Sequence, residues 1–200
     1  MLKKNLIHIV MLALALAFSH SRAEGQLCFF DTWHQVYHNR PVVKSFLSSV
    51  IWESDYEIYF EKKGYPDNKD VDKHIVASLD STAWRINSKY LKKEFSGDGS
   101  LLRGFVPLFF NDRVAYAIYL PWDDFAGGLE YYYIDFQKRK VNKVTHKFLV
   151  KLLADYPDLK MRFEGLKDQK SQFVIMDFFL DYVERACDDP MRPLIIDLVE

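Results

Sequence analysis

Two histidines four residues apart, His34 and His38 in HQVYH, form the sharpest chemical signal in the chain. On a helix this spacing puts both imidazoles on one face, as in an H-E-x-x-H zinc site. Residue 35 is a glutamine, however, and an amide cannot be the general base that activates a zinc-bound water. His34 and His38 are therefore candidate metal ligands without zinc-protease chemistry. His74 and His146 are the imidazoles that could join them, although spacing alone does not bring them there. A second cation signal, Asn68, Asp70 and Asp72, alternates like an EF-hand loop. That loop would require glycine at 73 and glutamate at 79, and the chain has Lys73 and Leu79. The stretch PWDDFAGG at 121–128 supplies the remaining candidates. Trp122, Asp123 and Asp124 lie in a loop punctuated by Pro121, Gly127 and Gly128, and Glu130 follows. Binding contacts concentrate on such loops.

Other chemistries lack their parts. There is no G-x-S-x-G nucleophile elbow, no P-loop and no dinucleotide G-x-G-x-x-G. The sequence therefore calls for no cofactor and carries no catalytic motif. Carboxylates from distant segments could still meet, as in glycosidases. The two cysteines, Cys28 and Cys187, are an even pair near opposite ends of the chain, which predicts a disulfide in an oxidising compartment. Its rivals are two unreactive thiols, or a reactive thiol with His146 as base.

These residues need elements to hold them. Residues 29–52 read as an aromatic, partly helical segment broken at Pro41. Tyr56, Ile58 and Phe60 alternate with polar neighbours, as do Trp84 and Ile86 in TAWRIN, so both stretches read as strands. Ile75 and Ala77 suggest another strand, NSKYLKKEF a short helix, and SGDGS a turn. Residues 105–110 and 113–120 form a hairpin about Asn111-Asp112. In LEYYYIDF, Leu129, Tyr131 and Tyr133 face one way, and Tyr132, Ile134 and Phe136 the other. Both faces are apolar, so the three tyrosines read as a central strand covered on two sides. Thr145 caps a helix, Pro157 opens another, and residues 172–187 form a long one. Its stripe is Ile175, Phe178, Phe179, Tyr182, Val183 and Ala186. Strands first and helices last predict an α+β fold: an antiparallel β-meander of about five to six strands with C-terminal helices packed on one face.

The chain has 200 residues, 16% of them aromatic, and a formal net charge of −1. Lys3 and Lys4 precede an apolar run from residue 6 to 18, and Ser21 and Ala23 suit a signal peptidase. Residues 1–23 thus read as a signal peptide and 24–200 as a single exported domain. Removing Lys3, Lys4 and Arg22 takes the charge from −1 to −4. The cations are scattered, so nucleic acid is not an expected partner. No later run reaches the length of a transmembrane helix.

The blocks DTWHQVYHNRP, WRINSKYL and VPLFFNDRVAYAIY, in that order behind a signal peptide, resemble a group of exported proteins of Bacteroidetes-type bacteria. That resemblance covers most of residues 29–136. It implies a periplasmic or extracellular bacterial protein and carries over no activity and no site residue. The expectation is a non-catalytic domain of the cell envelope that binds a protein or a glycan. A small hydrolase assembled from distant carboxylates or histidines is the alternative.

Overall fold

A computed structural model describes residues 26–46, 50–51, 59–60, 73–79, 83–119 and 129–199. The expected signal peptide, the Tyr56–Ile58 part of the predicted strand, the Asn68–Asp72 acids and the Trp122 loop lie outside the described residues. The chain divides into two compact units, 1–90 with 103–107, and 91–102 with 108–200. The fold is α+β with mostly antiparallel strands.

In the first unit, β1 (Gln26–Phe30) is flanked by β2 (Val43–Phe46) and β5 (Val76–Leu79). Both pairings are antiparallel, with Cys28 opposite Lys44 on one side and Ser78 on the other. Between β1 and β2 lies helix α1 (Trp33–Tyr37). The short strands β3 (Val50–Ile51) and β4 (Tyr59–Phe60) pair separately. Next to β5 comes β6 (Ala83–Asn87), which pairs with residues 105–107. The predicted strands at 75–77 and 82–87 are therefore present. β1 was read as part of a helical segment instead. Leu27, Cys28, Phe29 and Phe30 are all buried, so no alternation marks the strand: both of its faces are core. The register puts Cys28, Phe30, Val76, Ser78, Trp84 and Ile86 on one face and Leu27, Phe29, Ala77, Arg85 and Asn87 on the other. The expected helix at 88–94 is α2 (Ser88–Glu94).

The second unit begins with residues 91–102. Here SGDGS is not merely a turn. Its first two residues form β7 (Ser96–Gly97), which pairs in parallel with Lys140 and Val141, and a 3-10 turn follows at Asp98–Leu101. Residues 108–110 of β8 (Phe105–Phe110) pair with β9 (Ala115–Tyr119). β9 pairs with β10 (Glu130–Asp135), and β10 with β11 (Lys140–Lys143). β11 leaves no strand signal in the sequence because KVNK is short and has one buried residue, Val141. The β8–β9 connection is also longer than the expected two-residue turn. Phe110 pairs with Ala115, and the Asn111 side-chain oxygen accepts hydrogen bonds from the amides of Arg113 (2.9 Å) and Val114 (2.8 Å). Asn111 thus folds the loop through its side chain, as an Asx turn, rather than by taking positive φ.

The tyrosine run behaves as predicted. Tyr131 and Tyr133 pair with Ile118 and Tyr116 on one face, and Tyr132 and Ile134 with the two alanines of β9 on the other. Helices cover the first face: α3 (His146–Leu152), α4 (Pro157–Glu164) and α5 (Gln172–Cys187). Their core residues Leu149, Phe163, Phe178, Phe179 and Tyr182 form one cluster with Tyr116, Tyr131 and Tyr133. Segment 91–102 lies over the second face, where Phe95 meets Phe136 edge-on at 5.4 Å and Gly99 sits against Val141. Thr145 caps α3 by accepting from the Phe148 amide, and Pro157 occupies the first turn of α4. The tail ends in α6 (Ile196–Val199), and Ile195 is buried with its amide bonded to the Asp112 carbonyl. No helix of the described residues is long and apolar enough to cross a membrane.

Candidate functional site

His34 and His38 do lie together. Their ring centroids are 4.3 Å apart at the end of α1, and both side chains are exposed. Gln35 has a structural task there. Thr32 is the N-cap, its hydroxyl accepting from the Gln35 amide, while the Gln35 side-chain oxygen accepts from the amides of Asp31 (2.8 Å) and Thr32 (3.2 Å). This reciprocal pair is a capping box. The residue that breaks the zinc signature is the one that starts the helix. Among the described residues no group of three His, Cys, Asp or Glu is placed to hold a metal. Within the first unit, His74 therefore does not complete a site with His34 and His38.

His74 has another partner, which spacing did not reveal. Its Nδ1 lies 2.5 Å from Asp31 Oδ1, its ring stacks on Phe29 at 4.9 Å, and the Asn87 amide donates to its carbonyl. A carboxylate that fixes one imidazole nitrogen leaves the other aimed, as in general-base dyads. Among the described residues no hydroxyl or thiol is hydrogen-bonded to that second nitrogen. His146, proposed as a base for a thiol, instead faces Gln169 Oε1 at 3.4 Å and packs on Phe163.

The densest polar constellation joins the helix face of the second unit to its tail. Arg192 Nη2 donates to the Tyr133 hydroxyl at 2.8 Å, and its guanidinium lies 5.4 Å from the Tyr182 ring centroid. Tyr156 donates to Asp189 at 3.0 Å, and Arg113 donates to the Arg192 carbonyl. The Tyr182 hydroxyl, fully buried, sits beside Tyr133 and Arg192 but makes no hydrogen bond of good geometry. Burial holds the Tyr182 hydroxyl well above the usual tyrosine range and raises Tyr156 as well, where the Asp189 bond adds to it. Both hydroxyls stay neutral, and Tyr156 donates to Asp189; they are not bases. The Met191 amide and the Tyr156 hydroxyl hold Asp189 below the usual carboxylate range. Burial opposes the Arg192 charge, and the neighbouring Tyr133 and Tyr182 oxygens more than offset it. The constellation fastens the tail to the sheet and helices.

Both cysteines are thiols in the structure, so the expected Cys28–Cys187 bond is not shown. Cys28 is buried in β1, an inner strand of the first unit flanked by β2 and β5. Cys187 ends α5 in the second, where its thiol donates to the Val183 carbonyl and accepts from the Asn111 amide. Burial raises the Cys187 thiol above its usual range, with Asn111 pulling the other way. That favours the unreactive thiol, since the thiolate is the nucleophile. Glu130, considered as a cation ligand beside Asp123 and Asp124, is engaged by Tyr132 at 2.6 Å and by Lys143. Trp122, Asp123 and Asp124 lie outside the described residues. The chain resumes at Leu129, whose carbonyl accepts from the Gln172 side chain at the start of α5.

Beside that contact the second unit exposes apolar surface. Phe173, the next residue of α5, is 82% exposed. Met161 on α4 is 73% exposed, and Leu166, in the α4–α5 connection, 39%. On α4 the buried residues are Leu159 and Phe163, so Met161, midway between them, points away from the core. Phe173 likewise lies off the buried stripe of Phe178, Phe179, Tyr182 and Ala186. The chain matches no protein-family model, no curated protein and no solved structure.

Proposed function

We propose that this chain is an exported interaction domain of the bacterial cell envelope, one that holds a partner surface rather than turning over a substrate. The observation that carries the reading is the exposure of three large apolar side chains on the α4–α5 hairpin, with Leu166 and Phe173 at its turn and Met161 on α4. An exposed phenylalanine contributes little to the core, whereas covering it would contribute roughly 1.5–3 kcal/mol to an interface. The described groups best suited to chemistry support the same reading. The Tyr156 and Tyr182 hydroxyls are held neutral, the Cys187 thiol is raised, and the His34–His38 pair has two ligands where a structural zinc needs four.

A photo-crosslinking side chain at position 173, introduced in the native host, tests this. A discrete product from position 173, absent when the probe sits at the exposed Lys138 on the β10–β11 turn, is the expected result. Equal labelling from both positions, or none from either, removes the reading. Export is tested by N-terminal sequencing of protein from the host, which should begin at Glu24. The hydrolase reading survives in one place, the Asp31–His74 dyad. It requires ester or amide hydrolysis that His74→Ala abolishes while thermal stability is kept.

A further inference from the structure

We infer that the surface held by the α4–α5 corner is an anionic lipid membrane; this rests on the interaction reading above and names its partner. The corner pairs apolar side chains with unneutralised cations. Lys167 and Lys170 lie between Leu166 and Phe173, both exposed, and neither forms an ion pair among the described residues. The nearby acid Glu164 is met by Lys160 at 3.8 Å, and Arg162 is engaged by Asp181 at 3.4 Å. With Asp168 counted, residues 166–173 carry one net positive charge.

The composition separates lipid from protein. Protein–protein interfaces are depleted in lysine and enriched in arginine. Exposed Phe, Met and Leu bracketing lysines are what a membrane interface accepts: the apolar groups enter the acyl boundary and the ammonium groups remain among anionic headgroups. Lysine stems are long enough to lie along apolar surface while the charge stays in water. The connection is also preorganised. The Leu166 amide donates to Phe163 O at 3.1 Å, the Ser171 amide to Asp168 O at 2.9 Å, and the Gln169 side chain to Glu164 O at 2.6 Å. Little ordering remains to be done on docking. Three apolar side chains and two lysines give reversible attachment, not insertion.

The test is flotation of the protein purified from its host with vesicles of phosphatidylglycerol and phosphatidylcholine, against phosphatidylcholine alone. Stronger binding to the anionic vesicles, weakened by salt, is expected. Phe173→Ser should weaken that binding about tenfold or more, and Lys167→Gln and Lys170→Gln about fivefold each. All three positions are exposed, so melting temperature should not move. Absence of binding to anionic vesicles, or binding that none of the three variants changes, overturns the inference. If vesicle binding is absent while crosslinks from position 173 reach a discrete protein, the lipid assignment falls and the interaction domain stands. If both are absent, both readings fall.

Discussion

Phe173 and Phe179 offer a controlled comparison, being the same residue type in the same helix. Phe179 is fully buried and is the hub between α5 and the sheet. Its ring meets Tyr116 at 5.4 Å, Tyr131 at 5.9 Å and Tyr182 at 6.2 Å. Phe179→Ala removes the transfer energy of a whole aromatic ring and leaves a cavity walled by three other rings, which collapse poorly; the expected loss is about 4 kcal/mol, within the range of about 3–5 for such truncations. A unit of this size has on the order of 5–15 kcal/mol of stability to lose. Phe173 buries less than a fifth of its surface. With about 3 kcal/mol for complete burial of a phenylalanine, its contribution is about 0.5 kcal/mol. Alanine's better helix propensity returns a similar amount, roughly 0.5 kcal/mol. Phe173→Ala should therefore leave stability unchanged within about 0.5 kcal/mol. Urea unfolding followed by tyrosine and tryptophan fluorescence and by far-ultraviolet dichroism measures both, and coincidence of the two probes checks that the transition is two-state. A cost near 4 kcal/mol for Phe173→Ala would mean the corner is part of the core, and the interaction reading would lose its surface. A cost under 1 kcal/mol for Phe179→Ala would refute the helix-on-sheet core.

Gly97 has φ +90°, and a Cβ there would lie 2.3 Å from the Val141 carbonyl oxygen; Gly97→Ala should cost on the order of 2 kcal/mol or more through strain and loss of the β7–β11 pairing, read by the same unfolding curves. Tyr116, Tyr132 and Tyr182 are all raised, chiefly by burial. Because the unfolded chain ionises first, their stabilisation is complete below about pH 10 and is lost as pH rises above it. Tyrosinate absorbance near 295 nm should therefore jump together with loss of helical dichroism at high pH, and Tyr182→Phe should leave the earlier, native titration unchanged; a smooth Tyr182 titration in folded protein would contradict its burial. Both cysteines should titrate as thiols in denatured protein without reductant, and Cys187 should react slowly with iodoacetamide near neutral pH in the folded state, given its raised thiol; a single disulfide and no free thiol would contradict the structure.

Local rules written in the sequence determined much of the second unit. The stripe at spacings of three and four set the bounds of α5, Thr145 and Pro157 marked the starts of α3 and α4, and alternation divided the tyrosine run between two faces. Each signal involves residues within one or two turns or a few strand positions, where backbone geometry alone decides neighbours. The same periodicity left Phe173 off the stripe, although it could not show that nothing covers that ring. β1 and β11 were missed for opposite reasons. Burial on both faces erased alternation in one, and the other is too short to show any. Tertiary structure decided what distant residues do to one another: that Asp31 meets His74 across 43 positions, that Arg192 finds Tyr133 across 59, and that Cys187 meets Asn111 across 76. Spacing carries no information at such separations, because a meeting between distant residues is set by sheet register and helix packing, which depend on the whole core at once.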